Sequence, residues 1–254
     1  MTTPPRPIAL LDTLRRDPWT VETGGRTSDN LNLPGNFVDV MMATYGGTRT
    51  GRQELLGEYM AEAEGALFPR ALIERCRAEV DLGEAASFDR IVVGVDPSAS
   101  EGGDACGIVV AGRREGMLYV LADCSVEGAS PERWARAVAG AAEAWGASYV
   151  VAEGNQGGAM VTSVLNAADA GMRVRLVHAS RGKVARAEPV ATRFEAGRAY
   201  LAGVFPELEA ELAGLSANGS YEGPGRSPDR ADAMVWALTE LGETRSGVPR
   251  VRML

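Results

Sequence analysis

From Arg90 onward, the chain alternates runs of branched apolar residues with longer stretches in which apolar positions recur every three or four residues. Three apolar runs come first: "IVVGV" at 91–95, "GIVVAG" at 107–112 and "MLYVLAD" at 117–123. The linkers between them are short, so the three strands are expected to pair as an antiparallel meander. The periodicity then becomes helical in "SPERWARAVAGAAEAW". There Ser130 suits the N-cap, Pro131 the first helical position, and Trp134, Val138, Ala141 and Trp145 form one apolar stripe. "SYVVAE" is a fourth strand, reached through that helix and so expected to run parallel to the first.

Two more helix patterns, "GAMVTSVLNAADA" and "KVARAEPVATRFEAG", flank a fifth strand in "RVRLVHA". Pro189 should kink or split the second of these helices. A closing helix should run through "DRADAMVWALTEL", with Ser227 as its N-cap. Three antiparallel strands followed by helix-linked parallel strands describe an α/β fold: a mixed sheet with helices on both faces, in the ribonuclease H-like order.

Residues 1–86 read differently. They open on the proline-rich "TTPPRPIALL" and pass through "GGRTSDNLNLPGNF". A long acidic helical pattern then runs from about Gly51 to Val80, followed by a break near "LGEAASFDR". This predicts a mainly helical and irregular N-terminal segment over 1–86 and an α/β domain over 87–254.

Charge sharpens this reading. The chain of 254 residues carries a formal net charge of -8, so it cannot grip nucleic acid over its whole surface. A DNA contact would need a local basic face. The one such stretch lies between Arg173 and Arg198, with Arg181, Lys183, Arg186 and Arg193 the candidates to meet phosphates. Glycines 154, 157 and 158 would let a backbone come close. The single histidine, His178, sits in an apolar-rich run and reads as structural; one histidine excludes His-rich zinc sites. Three widely spaced cysteines give no disulfide framework and suit a reducing compartment. No apolar run is long enough to span a membrane, and no signal-peptide pattern opens the chain.

The candidate chemistry lies in the acids. Asp96 ends the first strand, Glu153 ends the fourth, and Asp232 lies in the first turns of the closing helix. Strands one and four should be neighbours, which would bring these carboxylates together. Grouped carboxylates repel one another unless a cation joins them. Hard oxygen ligands suit Mg²⁺ or Mn²⁺, and two such ions can stabilise the attacking and leaving oxygens of a phosphodiester. Asp104, opening the second strand, is a candidate fourth carboxylate. Asp229 reads as a favourable charge at a helix N-terminus.

The segments "VGVDPSASEGGDACGIVVAG", "VVAEGNQGG" and "SPDRADAMVWAL" together resemble the nuclease domain of the large terminase subunit of tailed bacteriophages and gene transfer agents. "TTPPRP" is similar to the coupling motif near the end of a terminase ATPase domain, and 25–68 to the stretch joining motor and nuclease. The resemblance implies an endonuclease that cuts concatemeric double-stranded DNA in genome packaging in the bacterial host cytoplasm. It implies two divalent ions held by Asp96, Glu153 and Asp232, with Asp104 accessory. Its implied partners are the small terminase subunit, the portal protein and an ATPase portion. No G-x-x-x-x-G-K-[ST] is present, so ATP hydrolysis is not expected, and the chain reads as a fragment or a separately encoded nuclease half, beginning where the ATPase domain is ending. Rival readings are a Holliday-junction resolvase or transposase on the same fold, and a docking module without catalysis.

Overall fold

The structure is a computed structural model that describes residues 13–15, 17–45, 55–57, 65–80, 88–97, 105–155, 157–169, 171–180 and 182–243. Asp104 and Arg181 lie outside the described residues. Six strands form one sheet: β1 (Arg90–Asp96), β2 (Gly107–Arg114), β3 (Met117–Asp123), β4 (Tyr149–Glu153), β5 (Val174–Val177) and β6 (Ala199–Leu201). Their order across the sheet is β5-β4-β1-β2-β3-β6. β1 pairs antiparallel with β2, and β2 with β3, as the short linkers require. β4 lies parallel to β1, with Val95 beside Ala152, and β5 lies parallel to β4. This is the expected ribonuclease H-like arrangement with one addition. β6 joins the outer edge parallel to β3; at three residues it is too short to show as an apolar run.

Period-2 alternation sorts the strand residues onto two faces. Ile91, Val93 and Val95 pack with Val150, Ala152, Trp134, Val138 and Leu165. That layer is built by α3 (Pro131–Ala144) and α4 (Gly158–Ala168). Val92 and Val151 belong to the opposite core, together with α5 (Lys183–Glu195), α6 (Pro206–Ala213) and α7 (Asp229–Gly242). α6 was not evident in the sequence pattern. Pro189 does not split α5. It is exposed, so the carbonyl it leaves unpaired faces water, while Ala187, Val190, Ala191 and Phe194 anchor the other side.

α7 is the central element of its layer: every residue from Asp229 to Leu238 is buried. Two strand glycines let it lie directly on the sheet. A Cβ on Gly94 would stand 2.1 Å from the Ala233 carbonyl oxygen, and one on Gly107 would stand 1.9 Å from that of Asp229. Ser227 is not the N-cap of α7. Pro228 holds that position and has no capping side chain, so Glu211 of α6 reaches across and accepts from the Ala231 N–H at 3.0 Å. Burial pushes the Glu211 carboxyl up to about 8, against the pull of that N–H and of Arg230. Arg230 in turn binds Asp123 at 3.2 Å and so ties the start of α7 to the end of β3. Ser130 does occupy the N-cap of α3, but its side chain makes no capping bond there.

The helical pattern over 51–80 is not one helix. Among its described residues Leu55–Gly57 forms a turn, Ala66 bridges to Ser216, and only α2 (Arg70–Arg75) is helical. Phe68, Leu72, Ile73 and Cys76 pack into the α7-side core, with Phe68 edge-on to Phe194. Upstream are a 3₁₀ turn, Thr27–Asp29, and α1 (Phe37–Tyr45). Here Trp19, Val21 and Leu31 are exposed. None of the described helices is long and apolar enough to cross a membrane.

Candidate active site

The alternation that buries Val92 under α7 also aims Asp96 at that side, because four residues separate them. Val151 does the same for Glu153, two residues on. Parallel pairing of β1 and β4 sets these two strand ends side by side. α7 crosses β1 closely, and its first turn delivers Asp232 to the same end. The three sequence-predicted carboxylates therefore lie toward the same end of the sheet.

Two cations from the start of α5 stand among them. Arg186 donates to Glu153 Oε2 and to Asp232 Oδ1, both at 3.2 Å, with its side chain only 10% exposed. Its guanidinium carbon lies 4.4 Å from the centre of the Trp236 ring, a cation–π contact worth more when desolvated. Trp236 Nε1 donates to Glu153 Oε2 at 3.0 Å. Lys183 Nζ is 2.6 Å from Asp232 Oδ2 and donates to Ser227 Oγ at 2.7 Å. Burial, then the Asp232 and Glu153 carboxylates, push the Asp96 carboxyl well above the usual carboxylate range, while Lys183 pulls it back. Burial works against the Lys183 charge, but Asp232, Asp96 and Asp229 outweigh it and raise its affinity for a proton.

Among the described residues, no three acidic, His or Cys side chains already converge as a metal-ligand group. Instead, the Arg186 guanidinium bridges Glu153 and Asp232. The donor set still fits a hard divalent cation. It is all carboxylate oxygen, and Asp96 is buried beside the charges of Asp232 and Glu153, against which Lys183 pulls.

Other sequence candidates separate. Arg193 does not join the site. It donates to the Gly242 carbonyl at 3.1 Å, at the C-terminal end of α7, because α5 runs away from the carboxylates. His178 is not a core residue; it is exposed just past β5, its Nε2 3.4 Å from where a Cβ on Gly154 would be. Asp229 does open α7 as a first-turn acid, yet it is buried and adds to the charge felt by Asp96. Trp236 was missed. Its signal is the spacing, since i and i+4 share a helix face and Asp232 is four residues before it.

The family described as a terminase RNaseH-like domain matches residues 93–241. The fold is similar to that of the large terminase nuclease of thermophilic phage G20c, at 16% identity and a TM-score of 0.52, over 70% of this chain and 99% of that one. A second structure of the G20c nuclease holds bound cobalt. The nuclease domain of large terminase subunit gp2 of bacterial virus Sf6 gives 17% identity and a TM-score of 0.52, over 68% and 98%. The large terminase of another thermophilic bacteriophage gives 15% and 0.53, over 84% of this chain but only 54% of its own length. No curated protein matches the chain.

Proposed function

The chain belongs to the family of terminase ribonuclease H-like domains, and on that premise we propose that it is a divalent-metal-dependent endonuclease that hydrolyses double-stranded DNA. One observation carries the reading: Asp96 and Glu153 end adjacent parallel strands at the same end of the sheet as Asp232, and burial, then the Asp232 and Glu153 charges, raise the Asp96 carboxyl. Carboxylates grouped in this way are a setting in which a bound cation would be favoured. The cobalt bound by the G20c nuclease supports a divalent ion here.

Asp96, Glu153 and Asp232 would hold two Mg²⁺ or Mn²⁺ ions, with Asp104 as an accessory carboxylate. When bound, the ions would supply Lewis acidity and neutralise charge building on the phosphodiester. The chain's own groups do the positioning. Trp236 Nε1 fixes Glu153, and the Gly94 contact sets the height of α7 and so of Asp232. Lys183 and Arg186, at the start of α5, would offer cations to an entering scissile phosphate, and Arg181, two residues earlier in sequence, would be a further phosphate contact.

The substrate would be concatemeric DNA cut during genome packaging in the host cytoplasm. The small terminase subunit, the portal protein and an ATPase portion would be partners, with 1–86 the segment toward the motor and 87–254 the nuclease. ATP would not be hydrolysed by this chain.

Supercoiled plasmid incubated with Mn²⁺ or Mg²⁺ tests the reading. Nicking and linearisation that EDTA stops are expected. A strong preference for four-way junctions would favour the resolvase alternative, and inertness with metal bound would favour a docking module.

Arg186 offers a second check. Arg186→Gln removes the group that neutralises Glu153 and Asp232, and stranding buried charges costs about 3–5 kcal/mol. In EDTA its Tm should fall by about 10 °C. Mn²⁺ should restore more of that loss than it adds to the wild type. An equal Mn²⁺ increment in both proteins would show that Arg186 and metal do not share those carboxylates.

A further inference from the structure

At the end of the sheet remote from Asp96, the same face carries a second charged constellation. The alternation that aims Asp96 at α7 aims Arg90 there too, six residues earlier on β1. It does likewise for Tyr149 on β4 and Arg175 on β5. At about 3.3 Å per strand residue, Arg90 and Asp96 stand about 20 Å apart. Arg113, at the far end of β2, is the register partner of Arg90, and Arg173 leads into β5. With Glu240 and Glu243 from the C-terminal end of α7, these residues line a cavity of about 460 Å³.

The charges in this cavity do not balance. Glu240 is 8% exposed at its side chain and is already committed. It accepts from the Tyr149 hydroxyl at 2.8 Å and pairs closely with Arg175. Arg113 has Asp89 no nearer than 4.0 Å, and among the described residues Arg90 and Arg173 make no ion pair. Arg90 and Arg113 also face each other directly across an antiparallel pair, a placement that destabilises when the charges are alike. With Arg175 paired to Glu240, the guanidiniums of Arg90, Arg113 and Arg173 share the concavity with only Glu243 and the 4.0 Å Asp89 contact against them, an excess of positive charge that favours an anion. The planar fork of arginine matches phosphate oxygens two at a time. The volume lies within the range of small-molecule sites.

We propose that this cavity is a phosphate-binding site separate from the carboxylate cluster, taking a phosphate group of a nucleic-acid backbone or of a free nucleotide. The assignment stands on the arginine geometry alone and does not depend on nuclease activity.

Thermal unfolding in EDTA tests it, comparing the wild type with an Arg90→Gln/Arg113→Gln double variant. Inorganic phosphate, ADP and a short DNA duplex are each set against sodium chloride of equal ionic strength. Phosphate at ten times its Kd should raise the wild-type Tm by about 4 °C and leave the double variant unmoved. In chloride the double variant should be no less stable than the wild type, because its like-charge pair is gone. Competition by duplex but not ADP identifies backbone phosphate as the source, and the reverse identifies a nucleotide. If the double variant fails to fold, Arg173→Gln, exposed and outside the strands, makes the same comparison. No phosphate-specific shift in the wild type, or an equal shift in both proteins, overturns the proposal. A shift produced by polyglutamate and not by phosphate overturns it as well, and would mark a protein-docking face.

Discussion

Asp96→Asn is expected to abolish metal-dependent DNA cleavage while leaving the fold intact. The replacement keeps the side chain's shape at the end of β1 but removes one of the three charges proposed to hold metal. Changes to groups that merely orient ligands already cost about 10- to 100-fold, so loss of a ligand should cost at least about a hundredfold. Stability should move the opposite way. Asp96 is pressed by burial and by Asp232 and Glu153, so in EDTA at neutral pH the asparagine variant should melt no lower than the wild type. Mn²⁺ should then stabilise it less. Plasmid cleavage and melting curves with and without Mn²⁺ read all three effects. A variant that cuts as well as the wild type would return Asp96 to the role of a strand-ending turn residue.

Gly94→Ala should be among the most destabilising single methyl additions in the domain's sheet. Its Cβ would sit 2.1 Å from the Ala233 carbonyl oxygen and 2.9 Å from the Ala237 Cβ. The obstacle is helix backbone, which cannot rotate aside as a side chain can. Overpacking of ordinary kind costs about 1–3 kcal/mol; forcing α7 off β1 should reach or exceed the top of that range, lowering Tm by about 8 °C or more. Because Asp232 rides on α7, metal binding should weaken in whatever fraction stays folded. Gly107→Ala, facing Asp229 in the same way, should behave alike. Gly116→Ala, at a turn with open space around it, has only the strain of its positive φ and serves as the comparison. Denaturant melts of the three variants check the order. Equal losses at all three positions would show that helix contact does not set the cost.

The layout of the sheet was legible because each rule used was local. Apolar runs separated by short linkers force antiparallel neighbours, and a helical crossover forces a parallel one. A strand's last residue inherits its face from the alternation behind it, and so Asp96 and Glu153 could be foreseen together. What was not legible depended on direction in space. The arginines from Arg173 to Arg193 form one basic stretch in sequence. β5 runs toward the carboxylates and α5 runs back, so the stretch divides between the two ends of the sheet. Arg175 and Arg193 finish near the C-terminal end of α7, and Arg186 near its start. Trp236, Glu211 and the two glycines under α7 escaped for a related reason. Their roles come from how closely one helix lies on the sheet, and periodicity carries no distance.

The most direct test of the central claim is anomalous scattering from crystals soaked in Mn²⁺. Two peaks bounded by Asp96, Glu153 and Asp232, with Arg186 turned away from at least one of its carboxylate partners, are the expected result. An Arg186 bridge that persists at saturating Mn²⁺, with no peak among the three carboxylates, would contradict it.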